Sequence, residues 1–538
     1  MPSFSEYYWA GRRGHLIGVG GVSMSPLAEV LAEAGLVITG SDMNEGANVA
    51  HLRSLGIPVF IGHRAENIPA DAEFVVRTAA VHDENPEIVE AHRRGLPVFE
   101  RTQAWGAIMK DYRNSLCISG THGKTTTTSM CTHILMAAER DPTVMIGGTL
   151  PLLHAGHRVG AGDTIVMEAC EYYNSFHAFS PTVAVILNIE ADHLDFFKDL
   201  EDVKASFRKF ASLVPENGYI IANAEDKNTM DALAPLGRDI FTFGLNKGAD
   251  VYAANIVQHG AETEFDVIYC EEVFTHVSLR VPGIHNVKNA LAASAAAICL
   301  GCSPAAIRYG LAGFSGANRR FEFKGKYNGA DVYDDYAHHP SELKALLDAI
   351  ETLGYKRTIV VFQPHTYSRT QALFSDFVEQ LRRPDVCYLA EIYAAREKNT
   401  IGISSADIAR ELPNGIFFAD NAELEKTLRA TSFQEIAQRP APATLSLPSV
   451  RVMCTRSANA SSPRERIRHD ARRNEAARPQ PDPYKSAASA SLPRDSGAVG
   501  VHLDRQLSGA EDRRSADPHR SQRSPEARLP EHDPYRLR

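Results

Sequence analysis

The densest chemistry lies in residues 115–138, SLCISGTHGKTTTTSMCTHILMAA. Apolar residues 116–118 read as a strand, Gly120-Thr121-His122-Gly123-Lys124-Thr125 as a loop, and the helix runs on from Thr126. A loop of this kind turns backbone N–H groups toward phosphate oxygens. Lys124 can reach the β- and γ-phosphates of a nucleotide, and the Thr125 hydroxyl can ligate Mg²⁺. The usual spacing places a glycine six residues before the lysine. Ile118 stands there, so the loop is a shorter variant. Two further strand ends offer metal ligands. Glu168 closes the apolar run TIVME and is followed by Glu171, while Asn188, Asp192 and His193 follow VAVIL. Carboxylate oxygen suits Mg²⁺. A histidine suits it less well, so a structural role for His193 stands equally open, and Glu171 reads as a more remote or solvated group.

Other polar positions cluster at turns. Gly18, Gly20 and Gly21 follow a short strand and precede the helical PLAEVLAEAG, and the next strand, LVITGSD, ends in Ser41 and Asp42. Strand, glycine turn, helix is the geometry that presents a helix N-terminus to a phosphate, with the acid placed for a ribose or base. Alone, such a turn is a weak signal. Asn286 and Asn289 share one face of an Ala-rich helix and could bond adenine or ribose, although Asn286 could equally cap the helix. Arg319 and Arg320 precede a new strand. Asp335, His338 and His339 occupy the turn of DDYAHHPSELKALL, where Pro340 and Glu342 suit the first helical turn. His365, Tyr367 and Arg369 end a second such unit. Glu391, Tyr393, Arg396 and Lys398 end a third, the last two also readable as a solvated charge run.

These residues need open α/β sheets whose strand C-termini converge on a crevice. The pattern predicts an α/β chain of three domains. Residues 1–114 form a Rossmann-like domain for a phosphorylated sugar nucleotide or dinucleotide, 115–322 a central P-loop ATPase domain, and 323–440 another Rossmann-like domain, incomplete at its end. Residues 441–538 read as a low-complexity, disordered basic tail. That stretch has 18 lysines and arginines against 12 aspartates and glutamates, and 11 of the chain's 29 prolines. Residues 1–440 have 39 basic against 54 acidic side chains, which argues against nucleic acid as the main partner. No apolar run approaches the length of a membrane span, and the N-terminus lacks the pattern of a signal peptide. The eight cysteines, scattered through apolar segments, read as reduced thiols of a cytoplasmic protein. Oligomeric state is left open.

Taken together, GVGGVSMSPLAEVL, SGTHGKTTTTSM, VMEACEYYNSF, NIEADHLDFF, PGIHNVKNALAA, RRFE, DDYAHHPSELKALL, FQPHTYSRT and EIYAAREK resemble the Mur ligases of peptidoglycan synthesis, in order, over about residues 13–430. The GTHGKTTTT form resembles the members that add L-alanine to UDP-N-acetylmuramate and the relatives that recycle a preformed tripeptide. The resemblance implies ATP and Mg²⁺, an acyl phosphate on the lactyl carboxylate, and attack by the amine of L-alanine. It implies that Gly18, Gly20 and Gly21, with Ser41 and Asp42, hold the UDP-sugar. Residues 120–126 with His285, Asn286, Asn289, Arg320 and Asp335 would hold ATP. Thr125, Glu168 and His193 would hold Mg²⁺, with Lys124, Glu168, His193 and Asp335 in the catalytic set. His338 would lie in the same constellation as Asp335 and bind substrate, and His365 and Arg369 would lie toward the amino acid and the new peptide bond. The chain departs from the family at Arg77-Thr78-Ala79, where polar serines are frequent, at Thr366, where arginine is common, and in YAAREK.

The resemblance stops near residue 430. The family continues with a strand and a GAGD-type glycine loop. Residues 449–460 can be encoded so that the neighbouring frame reads Gly-Ala-Gly-Asp-Val-Tyr-Lys-Val-Gly-Glu-Arg, which makes a frameshift between about Thr431 and Ser449 the leading account of the tail. On that account the third domain loses a terminal strand and helix and exposes a sheet edge. A catalytically impaired nucleotide- and UDP-sugar-binding protein then stands as the third alternative, after the L-alanine and tripeptide ligases. A functional extension touching anionic surfaces is the other account of the tail.

Overall fold

Three sheets order the chain. The computed structural model describes residues 2–327, 329–395, 397–430 and 450–455. The first sheet takes β1 (Arg13–Ile17), α1 (Met24–Glu33), β2 (Val37–Asp42), α2 (Ala47–Ser54), β3 (Val59–Ile61), β4 (Phe74–Arg77), α3 (Pro86–Arg93), β5 (Val98–Glu100) and α4 (Arg101–Ile108). Its strands run in the order β3-β2-β1-β4-β5, all parallel. A parallel strand covered on both faces needs a continuous apolar run rather than alternation, and Leu16, Ile17, Phe74, Val75 and Val76 are all fully buried. Phe4 anchors the chain start, edge-on to Phe74 and Phe99 at centroid distances of 5.3 and 5.2 Å.

The middle sheet has ten strands. Its elements are β6 (Asn114–Ser119), α5 (Lys124–Ala137), β7 (Thr143–Leu150), β8 (Ala155–Arg158), β9 (Thr164–Glu168), β10 (Val183–Ile186), α6 (Leu200–Ala211), β11 (Tyr219–Asn223), α7 (Lys227–Leu233), β12 (Phe241–Gly244), β13 (Val251–His259), β14 (Glu262–Tyr269), β15 (Glu272–Leu279), α8 (Ile284–Cys299) and α9 (Pro304–Gly313). The order is β15-β14-β13-β12-β11-β10-β6-β9-β7-β8. β6, β9, β10 and β11 are parallel, so the C-terminal ends of β6, β9 and β10 bring residues 119–125, 168 and 187–193 to one rim. Ala290, Ala292, Ala293, Ala295 and Ala296 of α8 are fully buried. Their small side chains let this helix pack against the phosphate loop.

The third sheet takes β16 (Glu322–Tyr327), β17 (Ala330–Asp335), α10 (Pro340–Thr352), β18 (Arg357–Phe362), α11 (Tyr367–Ala372), α12 (Phe374–Leu381), β19 (Val386–Ala390), α13 (Ser405–Glu411), β20 (Gly415–Phe418), α14 (Asn421–Ala430) and β21 (Val450–Thr455). Its order is β16-β17-β21-β18-β19-β20. This corrects the sequence expectation. Ending the third domain at residue 440 leaves out β21, which lies between β17 and β18 and is antiparallel to both. Val452 pairs with Tyr333 on one side and Val360 on the other, and Val450 and Val452 are fully buried. Burying each valine contributes about 1.5–3 kcal/mol. The gap expected from a lost strand is therefore filled, and the sheet's edges are β16 and β20. The rest of 431–538, including the proposed frameshift point, lies outside the described residues. Among the described residues no helix is long and apolar enough to cross a membrane.

Candidate functional site

Gly123 begins the site. Its φ of +86° is left-handed, and a Cβ there would stand 2.6 Å from Asn289 Oδ1. Only glycine lets the loop turn into α5 with Asn289 packed against it. Lys124, the first residue of α5, folds back over the loop. Its Nζ donates to the carbonyls of Gly120 (2.5 Å) and Thr121 (3.0 Å) and to both carboxylate oxygens of Glu171 (3.1 and 3.0 Å). The pair is buried, with side-chain exposures of 15% and 3%. Burial alone would pull the amine's pKa down; Glu171 more than offsets this and holds it above an ordinary lysine. Glu171, which sequence reasoning set aside as remote, is thus the direct partner of the loop lysine.

Glu168 faces the other way. The Thr125 hydroxyl donates to its Oε1 (3.1 Å) and the Gly147 N–H to its Oε2 (2.7 Å). These two oxygen donors open on a cavity of about 780 Å³ that also touches Gly148, Arg319 and Arg320. Hard oxygen ligands of this kind suit Mg²⁺. His193 stands apart from them, its Nε2 3.9 Å from Glu171 and 3.8 Å from Asp192, its ring stacked on Tyr172 at 4.3 Å. Burial lowers its pKa, which leaves a neutral imidazole with a lone pair to offer. Its φ of +54° and the +66° of Thr366 are strained for residues with side chains. Both line a second cavity of about 840 Å³ with Asp192, His365, Tyr367 and Arg369.

A third cavity, about 250 Å³, is lined by Gly123, Thr126, His285, Asn286, Asn289 and Asp335 among others. Asn286 does not cap its helix, whose N-cap is Gly283. It donates to Pro282 O (2.7 Å) and accepts from Asn289 (3.3 Å). Burial pulls His285 to about 4. Burial raises Asp335 to about 6, against the pull of Arg320, while its oxygens accept from the Phe321 and Ala337 N–H groups at 2.7 Å each.

Contacts from the third domain close over the loop. His122 Nδ1 lies 3.3 Å from Glu342 and its Nε2 3.5 Å from Glu190. Burial opposes the charge, but the two carboxylates push His122 up to about 9, so it is an imidazolium. Glu342 also accepts from the His338 N–H (2.8 Å) and approaches Arg320 at 3.7 Å. Ser341 donates to Glu190 across the same boundary. Farther out, Arg369 donates through Nε (2.9 Å) and Nη2 (2.8 Å) to Asp192 Oδ1, both side chains under 10% exposed. Arg369 also donates to His365 Nδ1 (3.3 Å), which leaves that ring's proton on Nε2. His338 Nδ1 donates to Tyr336 O (2.8 Å), leaving its Nε2 as an acceptor. Sequence reasoning did not single out Glu190 as a site residue, and it read Glu342 only as a helix cap.

In the first domain the glycine turn is built as expected, yet its polar residues are engaged by the turn itself. Gly18 N–H donates to Ser41 O (2.8 Å), Gly21 N–H to Gly18 O (3.1 Å), and Gly20 N–H to Asp42 Oδ2 (2.9 Å). A Cβ on Gly20 would strike that carboxylate at 2.9 Å. Asp42 Oδ1 accepts from Asn44. Ser41 is turned inward, fully buried, its hydroxyl donating to Glu87 (2.6 Å) in a network with His63 and Asn67.

Three family sequence models account for the described body. "Mur ligase family, catalytic domain" matches residues 13–113, "Mur ligase middle domain" 118–297, and "Mur ligase, glutamate ligase domain" 319–439. The chain belongs to the Mur ligase family. Among Mur ligases, it is 46% identical over 403 residues to the UDP-N-acetylmuramate–L-alanine ligase of Clostridium novyi (strain NT), covering 75% of this chain and 88% of that protein. It is likewise 46% identical over 419 residues to the enzyme of that name from Agathobacter rectalis, covering 77% and 91%. The solved UDP-N-acetylmuramate-alanine ligase of Thermotoga maritima superposes with a TM-score of 0.63 at 30% identity, over 77% of this chain and 92% of that one. The Neisseria UDP-N-acetylmuramate:L-alanyl-gamma-D-glutamyl-meso-diaminopimelate ligase gives 0.52 at 28%, over 58% and 100%. In this Mur ligase the phosphate loop therefore lies at the junction of the middle and third family domains.

Proposed function

We propose that this chain joins L-alanine to the lactyl carboxylate of UDP-N-acetylmuramate at the expense of ATP. The observation that carries it is the phosphate loop with cavities around it: Gly123 and Thr126 line one, Thr125 another, and Lys124 is linked through Glu171 to His193 of a third. The first is bounded by Asn286, Asn289 and Asp335, the second by Thr125 and Glu168, and the third by His193, His365 and Arg369. A nucleotide, an acid and an amine can thus meet at one loop. The names of the relatives at 44–46% identity favour L-alanine over a preformed peptide.

In this reading the N–H groups at the start of α5 and the Lys124 amine hold the nucleotide phosphates. Glu171 fixes the amine in place. The substrate carboxylate attacks the γ-phosphoryl, releasing ADP and giving an acyl phosphate; the L-alanine amine then attacks the acyl carbon and expels inorganic phosphate. No protein nucleophile is needed. Thr125 and Glu168 would hold one Mg²⁺, and His193 beside Glu171 a second; bound there, Mg²⁺ neutralises charge on the transferring phosphoryl group. Arg369 and the Nε2–H of His365 present donors to the amino-acid carboxylate. The contacts of His122, Ser341 and Arg369 across the domain boundary keep water from the acyl phosphate.

Purified protein given ATP, Mg²⁺ and UDP-N-acetylmuramate should release phosphate and yield a product heavier by one alanyl residue when L-alanine is supplied. Product formed only with the tripeptide would replace this reading. Binding of both nucleotides without turnover would show an impaired enzyme.

A further inference from the structure

A second cluster of metal-ligating side chains lies where the first domain meets the middle one, its His157 on the wall of the cavity that Thr125 and Glu168 also line. Glu29 comes from α1, His51 from α2 and His157 from β8. Both rings approach the same carboxylate oxygen through the same kind of atom. His51 Nε2 is 3.1 Å and His157 Nε2 3.4 Å from Glu29 Oε2. One ligand atom from each of the three residues lies within 4.8 Å of the others, and the ring centroids are 6.2 Å apart. Among the described residues, neither ring has another side-chain hydrogen bond or ion pair. Glu29 and His157 are only 16% and 14% exposed.

The spacing is informative. A tetrahedral zinc with bonds of about 2.0–2.1 Å has ligand–ligand edges of roughly 3.3–3.4 Å. The two carboxylate–imidazole distances bracket that edge. Two histidines and one carboxylate are also a donor set in which a fourth position stays open to water. Imidazole nitrogen favours Zn²⁺, Co²⁺ or Ni²⁺ over Mg²⁺, so the chemistry differs from the oxygen pair of Thr125 and Glu168. Three ligands from three elements in two domains also gain something a hydrogen bond does not: an ion bound there would join α1 and α2 to β8. Gly156 already sits near Val22 of the first domain at this boundary, with an ideal Cβ 3.5 Å from it.

We propose that Glu29, His51 and His157 form a binding site for a divalent transition-metal ion that fastens the first domain to the middle domain. The proposal does not depend on the ligase reading. The other His–carboxylate cluster, His122 with Glu190 and His339, is the competing destination for such an ion.

The test uses the full chain, freed of any affinity tag, with Mg²⁺ in excess to fill oxygen sites. Co²⁺ is titrated and its visible ligand-field bands are read. One equivalent should give the intense absorption of four-coordinate cobalt. His51→Ala and His157→Ala should each weaken that binding about tenfold or more, and His122→Gln should leave it intact. Far-UV circular dichroism and the melting temperature in metal-free buffer check that each variant is folded. As an independent readout, Zn²⁺ should raise the melting temperature of the parent protein and of His122→Gln but not of the other two variants. Absence of saturable Co²⁺ binding would overturn the proposal. So would a band that disappears in His122→Gln but persists in His51→Ala, or one that none of the variants changes.

Discussion

At the scale of single residues the phosphate loop is governed by one buried pair. Lys124 is already held by Glu171 and two loop carbonyls, so an incoming phosphate must share an occupied cation. Lys124→Ala should lower turnover by about a thousandfold, the range seen when one donor to a developing anion is removed, and leave UDP-sugar binding intact. Phosphate release and calorimetry check the two halves, and a full rate in the variant would remove Lys124 from the mechanism. Glu171→Gln deletes a buried negative charge beside the phosphates. ATP should bind it roughly tenfold more tightly, about 1.4 kcal/mol; unchanged or weaker affinity counts against the pairing. The loop itself was legible in the sequence because residue type and local pattern point the same way. Glu171 was not, since three residues past a strand nothing local tells a paired acid from a solvated one. Ser41 shows a related limit of local pattern. Its strand-end position suits a ligand contact, but the buried Glu87 that takes its hydroxyl lies far along the chain.

Elements enter where the third domain meets the middle one. Glu342 sits at the third position of α10, where capping explains an acid completely, so the sequence could not reveal that it also faces His122. That contact has a pH signature. His122 is raised from 6.5 to about 9, so its stabilisation is present in full below about pH 6.5 and is lost as pH rises through about 9. The shift corresponds to about 3 kcal/mol. The protection of amides at the start of α10, relative to their intrinsic base-catalysed exchange, should therefore fall between pH 7 and 10, and in His122→Gln that fall should vanish; equal protection at both pH values in the parent protein would remove His122 from domain closure. The Asp192–Arg369 pair makes a second forecast. Arg369→Ala leaves a buried carboxylate without its cation, at a cost of about 3–5 kcal/mol. Asp192→Asn with Arg369→Met should regain most of the docking, read by scattering or exchange, without regaining turnover. A double variant as loose as the single one would mean that packing, not charge, holds this contact.

For the whole molecule, the first sheet and the strands around the phosphate loop could be anticipated from apolar runs and glycine turns; the antiparallel strands β13–β15 of the middle sheet were not read, and the third sheet could not be completed. β21 is a six-residue strand within a stretch whose overall composition is basic and proline-rich, and only its partners β17 and β18 define it. Val452→Asp would place an unpaired charge in the middle of that sheet. Limited proteolysis should then degrade the third domain and leave a resistant fragment ending near Arg320, whereas a protease-resistant full body would deny β21 its place. The position of β21 also sets a timetable. β17 and β18 leave the ribosome long before the strand that joins them, and at about 5–20 residues per second the wait is on the order of 10 s. During that time the nascent chain carries two open strand edges, a template for pairing with a neighbouring chain. The first two domains can mature as they are made, but the third is completed only after β21 has emerged, so its yield should depend on chaperone supply more than on the stability of the finished protein.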